Sequence, residues 1–280
     1  MNGRSSYRFE QTETSPEHIA QYATFLSSAF PETHKYSVAY VGWQYRLNPN
    51  GPVVGFDAWA DDELVSHYVT LPVAYAIDGE MTRGLLSLNT ATHPNHRGKD
   101  LFTELASNTY ELGRDLGYRF VIGVANENST HGFLERLGFR LISPLDVRVG
   151  CGTFRTTSAS SCRLAAAWNE ETLHWRLGNP SGTYTRRGRE LYAEAGRFGI
   201  RAVVALDKQV RDDDAKRIPF APLKVWIGID RQLRTRGIFV DLPRRMRPSP
   251  LNCILRDLRG DLPTFEKGDV RFGLIDFDAY

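Results

Sequence analysis

Apolar and polar positions along the chain change period several times, and each change predicts an element boundary. The stretch "SYRFEQTE" alternates as a strand does. Ser15-Pro16-Glu17 then has the hydroxyl, proline and acid order of a helix start, which Ile19, Tyr22, Ala23 and Leu26 continue at helical spacing. A second helix is expected from Val38 to Leu47, stopping at Asn48-Pro49-Asn50-Gly51. "VVGFDAWA", "ELVSHYVTLPVAYAIDG" and "EMTRGLLSLNTAT" read as strands around turns at Asp61-Asp62 and Asp78-Gly79.

The last of these runs into "LSLNTATHPNHRGKDLF", where a strand breaks at His93-Pro94 into an Arg-Gly-Lys turn. Beyond the turn Phe102, Leu105, Ala106, Thr109, Leu112 and Leu116 mark one helical face. A strand, a glycine-containing turn and a helix N-terminus suit an anion, because the first helical N–H groups lack internal partners and the macrodipole puts positive charge there. "YRFVIGVA" reads as a central strand, "NSTHGFLERLGF" as a short helix closed by Gly138, and "RLISPLDVRVG" as one further strand.

"GTFRTTSASS", from Gly152 to Ser161, is small and polar and predicts a linker, which divides the chain into residues 1–151 and 162–280. Beyond it "WRLGNPSG" at Trp175 repeats "WQYRLNPNG" at Trp43, again after an expected helix and before strands. "RELYAEAGRFGIRAVVAL" follows as a strand pair, and "GIFVDLPRRMRPSPLNCILRDL" as a strand, turn and helix. Two halves of related topology are expected, an α/β fold with mixed sheets, the second half without the glycine-containing turn.

With 280 residues and 41% hydrophobic positions the chain can build large cores. Its 35 basic and 33 acidic residues leave a net charge of +2, which gives no general attraction for nucleic acid. Cys151, Cys162 and Cys253 form no Cys-x-x-Cys pair, so neither a metal site nor a disulfide framework is expected, and they read as buried thiols of a cytoplasmic protein. No run is long and apolar enough for a signal peptide or a membrane span.

"TATHPNHRGKDLF" and "NENSTHGFLERLGF", in this order and about 30 residues apart, resemble the GNAT acyl-CoA N-acyltransferases. The resemblance implies a GNAT fold, here as two tandem GNAT-like halves with the second degenerate. It also implies acetyl-CoA or another acyl-CoA as co-substrate. Thr90, Ala91 and Thr92 would meet the pantetheine arm between splayed parallel strands. Arg97, Gly98, Lys99, Asp100, Leu101, Phe102 and Thr103 would hold the pyrophosphate, with Asn126 and Ser129 nearby. Two departures stand out. Asp100 and Phe102 occupy the family's small-residue positions, so the Asp100 carboxylate either turns outward to cap an amide or competes for the anion site. Leu134 stands where many members have a tyrosine that protonates the leaving thiolate, which implies direct attack without a dedicated acid.

Attack on a thioester needs an amine that has lost a proton, and a donor for the oxyanion. Asn89, with Ser87 beside it, lies at the expected acyl position. His67 on the adjacent strand is a candidate base, and Asp278 another if the alternating "RFGLIDFDAY" brings the chain end to the first half, while His131, next to the Asn cluster, is a candidate to replace the missing tyrosine. Arg244 to Arg247 read as a solvated loop. The expected activity is acyl transfer to the amine of a small molecule, an amino sugar or a secondary metabolite, with no nucleic-acid or membrane partner and an oligomeric state left open. Aminoacyl-tRNA-dependent transfer and acyl-CoA binding without catalysis are the alternatives.

Overall fold

Two serines fix where the first helices begin. In the computed structural model, which describes residues 7–156, 162–194, 199–208, 210–211, 213–243, 245, 247 and 250–277, Ser15 accepts from the N–H of His18 at 3.3 Å and Ser37 from that of Tyr40 at 3.2 Å. Each side chain satisfies an amide that the helix leaves free. They open α1 (Pro16–Ala29) and α2 (Val38–Arg46), whose apolar faces pack on a sheet. Strands β1 (Tyr7–Gln11), β2 (Val54–Ala60), β3 (Glu63–Ile77) and β4 (Glu80–Thr92) run antiparallel in sequence order. A 3-10 turn at Pro94–His96 then leads into α3 (Leu101–Asp115), and β5 (Phe120–Ala125) returns parallel to β4. The short helix α4 (Glu127–His131) passes into a π-helical turn at Gly132–Arg136.

The sequence reading of one strand over "RLISPLDVRVG" is corrected here. Leu145 separates β6 (Arg140–Pro144) from β7 (Asp146–Arg155), and the two join different parts of the sheet. Strand β7 also occupies the first four positions of the expected linker, because Gly152, Thr153, Phe154 and Arg155 pair with a neighbouring strand. Residues 157–161 lie outside those described.

The second half contributes β8 (Leu164–Ala166), α5 (Glu170–Leu177), β9 (Tyr184–Arg187), β10 (Glu190–Glu194), β11 (Arg201–Leu206), β12 (Lys216–Arg217), β13 (Lys224–Ile229), β14 (Arg234–Asp241), β15 (Asn252–Asp257) and β16 (Val270–Gly273). The helix expected at "LNCILRDL" is strand β15. Leu251, Ile254, Leu255 and Leu258 imitate helical spacing, but Cys253, Ile254 and Leu255 are consecutive and all buried, as in a strand covered on both faces. The expected strand at the C-terminus ends at Gly273, and Leu274–Asp276 form a 3-10 turn. Of the thiols only Cys253 is buried; Cys151 is exposed and Cys162 intermediate, so that expectation holds for one of three.

The sheets cross the division at 151/162 by a reciprocal exchange. β15 lies between β5 and β6 of the first half, and β7 lies between β13 and β14 of the second. In each half the strand inserted runs antiparallel to one that is itself parallel to a predecessor, β5 to β4 and β13 to β11. With β16 and β8 bridging β13 to β3, the 16 strands among the described residues form one hydrogen-bonded sheet.

Candidate active site

Strands β4 and β5 pair only at Leu85 with Val121 and Leu86 with Ile122, although β4 continues to Thr92 and β5 to Ala125. The strands therefore part just beyond Leu86. On its other edge β4 shifts register against β3 between His67 and Val69, opposite Leu88 to Ala91, and Asn89 there takes the left-handed conformation, φ 46°. Asn is among the few residues that accept it. A groove of about 670 Å³ opens at the gap. Among the residues facing it are Ser87, Leu88, Thr90 and Thr92 from β4 and Val124 from β5.

The floor at one end is the start of α3. Gly98 has φ 73°, which a Cβ would strain, and Asp100 has φ 56°. The Asp100 side chain makes no capping bond; its carboxylate accepts from Arg136 at 2.7 Å. It therefore neither caps an amide nor stands alone. The N–H groups of Leu101, Phe102 and Thr103 consequently have no side-chain cap and begin a helix of 15 residues. Lys99 is steadied by Tyr7, its Nζ donating to the hydroxyl at 2.8 Å, while Arg97 donates from Nε to the carbonyl of Thr92 at 3.3 Å. Both cations and Arg136 line the groove.

Asn126 and Ser129 also line it, but they are bound to each other: the Ser129 amide donates to Asn126 Oδ1 at 3.0 Å, and the Asn126 amide to Ser129 Oγ at 3.1 Å. They cap α4. Ala91 is buried on β4. His131 is exposed on α4, Leu134 packs against the core cluster behind α3, and Asp278 lies outside the described residues. Arg136 and Phe30 face the groove without having stood out in the sequence, and Asn128 faces it beside Asn126. Arg136 carried a signal in retrospect, since it sits within the Asn-to-Gly-Phe stretch that closes over α3.

Behind β4 the polar groups form a chain. Asn89 donates to Gln44 Oε1 at 2.6 Å and to the Tyr45 hydroxyl at 3.2 Å, and accepts from the Tyr36 hydroxyl at 3.2 Å. His67 is fully buried, Nε2 lying 2.7 Å from the Tyr45 hydroxyl and Nδ1 2.6 Å from Asp57 Oδ1. Tyr22 donates to the other Asp57 oxygen at 2.7 Å; burial and that carboxylate hold its hydroxyl well above the usual tyrosine range. His67 thus reaches the groove only through Tyr45 and Asn89. On the groove side Ser87 is bonded to Tyr68, whose hydroxyl burial pushes up to about 12.

Three residues before Asn89 along β4, Leu86 faces a second, narrow cavity shared with Tyr75, Trp168, Trp175 and Asp276. The buried Tyr75 hydroxyl has no hydrogen-bond partner among the described residues. Among the described residues no group of three or more His, Cys, Asp or Glu side chains able to hold a metal ion gathers either, and no helix is long and apolar enough to cross a membrane.

Residues 11–142 match the family described as "Acetyltransferase (GNAT) domain". This part of the chain belongs to the GNAT family. Among solved structures, the chain is similar to a probable N-acyltransferase from Enterococcus faecalis, with 10% identity, 90% of this chain and 73% of that chain covered, and a TM-score of 0.60. A GCN5-related N-acetyltransferase from Anabaena variabilis gives 12%, 90%, 73% and 0.59. An N-myristoyltransferase from Saccharomyces cerevisiae with bound myristoyl-CoA gives 9%, 91%, 83% and 0.56. At these identities the likeness is one of fold, and its coverage extends over both halves. No curated protein sequence matches the chain. The GNAT domain makes the groove between β4 and β5 the candidate site of an N-acyltransferase.

Proposed function

We propose that the chain transfers an acyl group, acetyl in the first instance, from acyl-CoA to the amine of a small molecule. The observation that carries this is the groove: uncapped amides of Leu101 to Thr103 at a helix N-terminus, three cations beside them, and parted parallel strands leading away. A pyrophosphate fits the first, since its charge is met by backbone dipoles and by Arg97, Lys99 and Arg136. A slender pantetheine arm fits the second, with the free edges of Leu88 to Thr92 and Val124 as partners. A cytoplasmic setting agrees with this co-substrate.

The acyl carbon would lie where the strands part. There the amine attacks the thioester carbonyl, the C–N bond forms, the C–S bond breaks, and the amine proton passes to water in the open groove. Leu134 supplies no acid, and none is required in this reading, because the thiolate of CoA is a leaving group with a pKa near that of cysteine. The narrow cavity behind Leu86 is the seat we assign to part of the acceptor. Only the first half is assigned a CoA, because in the second the Gly228 and Ile229 end of β13 is paired with Gly273 and Phe272 of β16.

Calorimetry with acetyl-CoA, followed by thiol release across a panel of small amines, tests the reading. One CoA per chain and release dependent on an amine are expected. Absence of binding would overturn it, and binding without release across the panel would leave a carrier of acyl-CoA.

A further inference from the structure

The polar chain behind β4 runs through buried side chains from Tyr22 to Asn89. The Asn89 amide nitrogen can only donate, so Tyr45 accepts from it, and the same hydroxyl is hydrogen-bonded to His67 Nε2. His67 Nδ1 is bonded in turn to one oxygen of Asp57, whose second oxygen accepts from Tyr22. Gln44, which accepts from Asn89, donates in turn to the Tyr40 hydroxyl at 3.2 Å. Asp57, His67, Gln44, Tyr40 and Tyr45 are all essentially inaccessible. Groups in such a chain polarise one another, and a break leaves a buried donor or acceptor unmet.

The chain ends on the single residue of β4 whose backbone is in the left-handed region, at the register shift against β3 and in the stretch where β4 has parted from β5. The residues on either side, Leu88 and Thr90, face the groove, while the Asn89 side chain is held from behind by Gln44 and Tyr45 of α2 and by Tyr36 just before it. We propose that Asp57, His67, Tyr45 and Gln44 are positioning residues acting through Asn89, and that they fix the Leu88–Thr90 backbone in the place where it meets the acyl-pantetheine arm. This rests on the acyl-CoA reading of the groove. None of the four touches the arm. They hold an otherwise disfavoured backbone turn in one conformation, so the arm meets a preformed edge and spends no binding energy ordering it.

The test separates the two ends of the co-substrate. Adenosine 3′,5′-bisphosphate probes the nucleotide end and acetyl-CoA the whole molecule, both by calorimetry on the full chain. Asn89→Ala is expected to weaken acetyl-CoA at least tenfold and to leave the bisphosphate within twofold. Asn89→Gly, which accepts the left-handed backbone without a Cβ, should recover part of the loss. Tyr45→Phe removes one oxygen, keeps Asn89 and its bonds to Gln44 and Tyr36, and should weaken acetyl-CoA by three- to tenfold with the same selectivity. It serves if Asn89→Ala does not fold. Wild-type affinity for acetyl-CoA in folded variants overturns the inference and leaves the acyl-CoA reading intact. So does a parallel loss for both probes, which marks a general disturbance. A wild-type chain that binds neither probe overturns the acyl-CoA reading itself.

Discussion

Trp43 and Trp175 stack face to face, ring centroids 4.8 Å apart, and each indole N–H donates to the other's backbone carbonyl, at 2.9 and 3.2 Å. Such reciprocity is what a local two-fold relation produces. It extends to the turns that follow. In one, Asn48 Oδ1 accepts from the Asn50 amide and its carbonyl from the Gly51 amide; in the other, Asn179 Oδ1 accepts from Ser181 and its carbonyl from Gly182. The repeated "W…NP-G" pattern therefore encodes the same helix exit twice, and the two exits meet. The exchange of β7 and β15 obeys the same relation at the scale of whole strands.

Because each tryptophan completes the other's site, their contributions to stability are coupled. Trp43→Ala and Trp175→Ala are each expected to cost about 3 kcal/mol, the usual range for removing a packed indole. The double variant should cost less than the sum by about 1 kcal/mol, the coupling of an aromatic pair. Urea denaturation of the four proteins measures it, and additive costs would mean that the stack contributes nothing beyond burial.

The local parts of this architecture were legible in the sequence. Ser15 and the Asn-Pro turns announce helix boundaries through short-range hydrogen bonds, and the strand before His93-Pro94 and the helix after it follow from periodicity. What periodicity cannot specify is a strand's neighbour. Cys253–Leu255 gives a buried run without naming β5 and β6 as its partners, and Leu145 carries no mark that β6 and β7 part there. The site shows the same division. Gly98 and the α3 start could be located from spacing, whereas the pairing of Asp100 with Arg136, 36 residues on, depends on how α4 folds back over α3. His67 stood out as a histidine in a strand; that Asp57 and Tyr45 enclose it is a matter of tertiary packing.

Gly98 tests the turn. A non-glycine residue at φ 73° costs roughly 1–2 kcal/mol, and proline, fixed near −65°, cannot adopt it. Open space surrounds the position where a Cβ would stand, so no steric clash adds to this. Gly98→Ala should weaken acetyl-CoA about tenfold, and Gly98→Pro should abolish binding measurable by calorimetry. Any loss of thermal stability should stay within what this backbone strain costs, since the turn is exposed. Full affinity in Gly98→Pro would show that the α3 amides do not hold the pyrophosphate.

Asp100 places a carboxylate beside the same amides, with Arg136 as its partner. Both side chains are more than half exposed, so the pair adds little to stability. Asp100→Gly keeps the left-handed conformation, removes a like charge from the edge of the anion site and releases Arg136 toward it. Acetyl-CoA affinity should rise severalfold at low ionic strength, and the gain should shrink as salt screens the charges. Weaker binding in this variant would mean that the Asp100–Arg136 pair shapes the groove and that its order outweighs the repulsion.

Asp276 gives the pH dependence. It accepts from Trp168 Nε1 and from the Gly273 amide, each at 2.7 Å, but burial raises its pKa above the ordinary value of 3.8 despite these bonds and the nearby charges of Lys208 and Arg271. A carboxyl with a raised pKa in the folded chain holds its proton more tightly there than in the unfolded chain. Stability attributable to it is therefore fully present below the unfolded value and falls as pH rises from about 4 through the folded value. Asp276→Asn preserves an acceptor for the Trp168 N–H and has no charge to bury. Below pH 4 the variant should match the wild type in urea denaturation, and between there and neutrality it should become the more stable of the two, with the difference levelling off once Asp276 is ionised in both states. A wild type that gains on the variant as pH rises would show that Lys208 and Arg271 more than offset the desolvation, and that the folded carboxyl is held below its ordinary range.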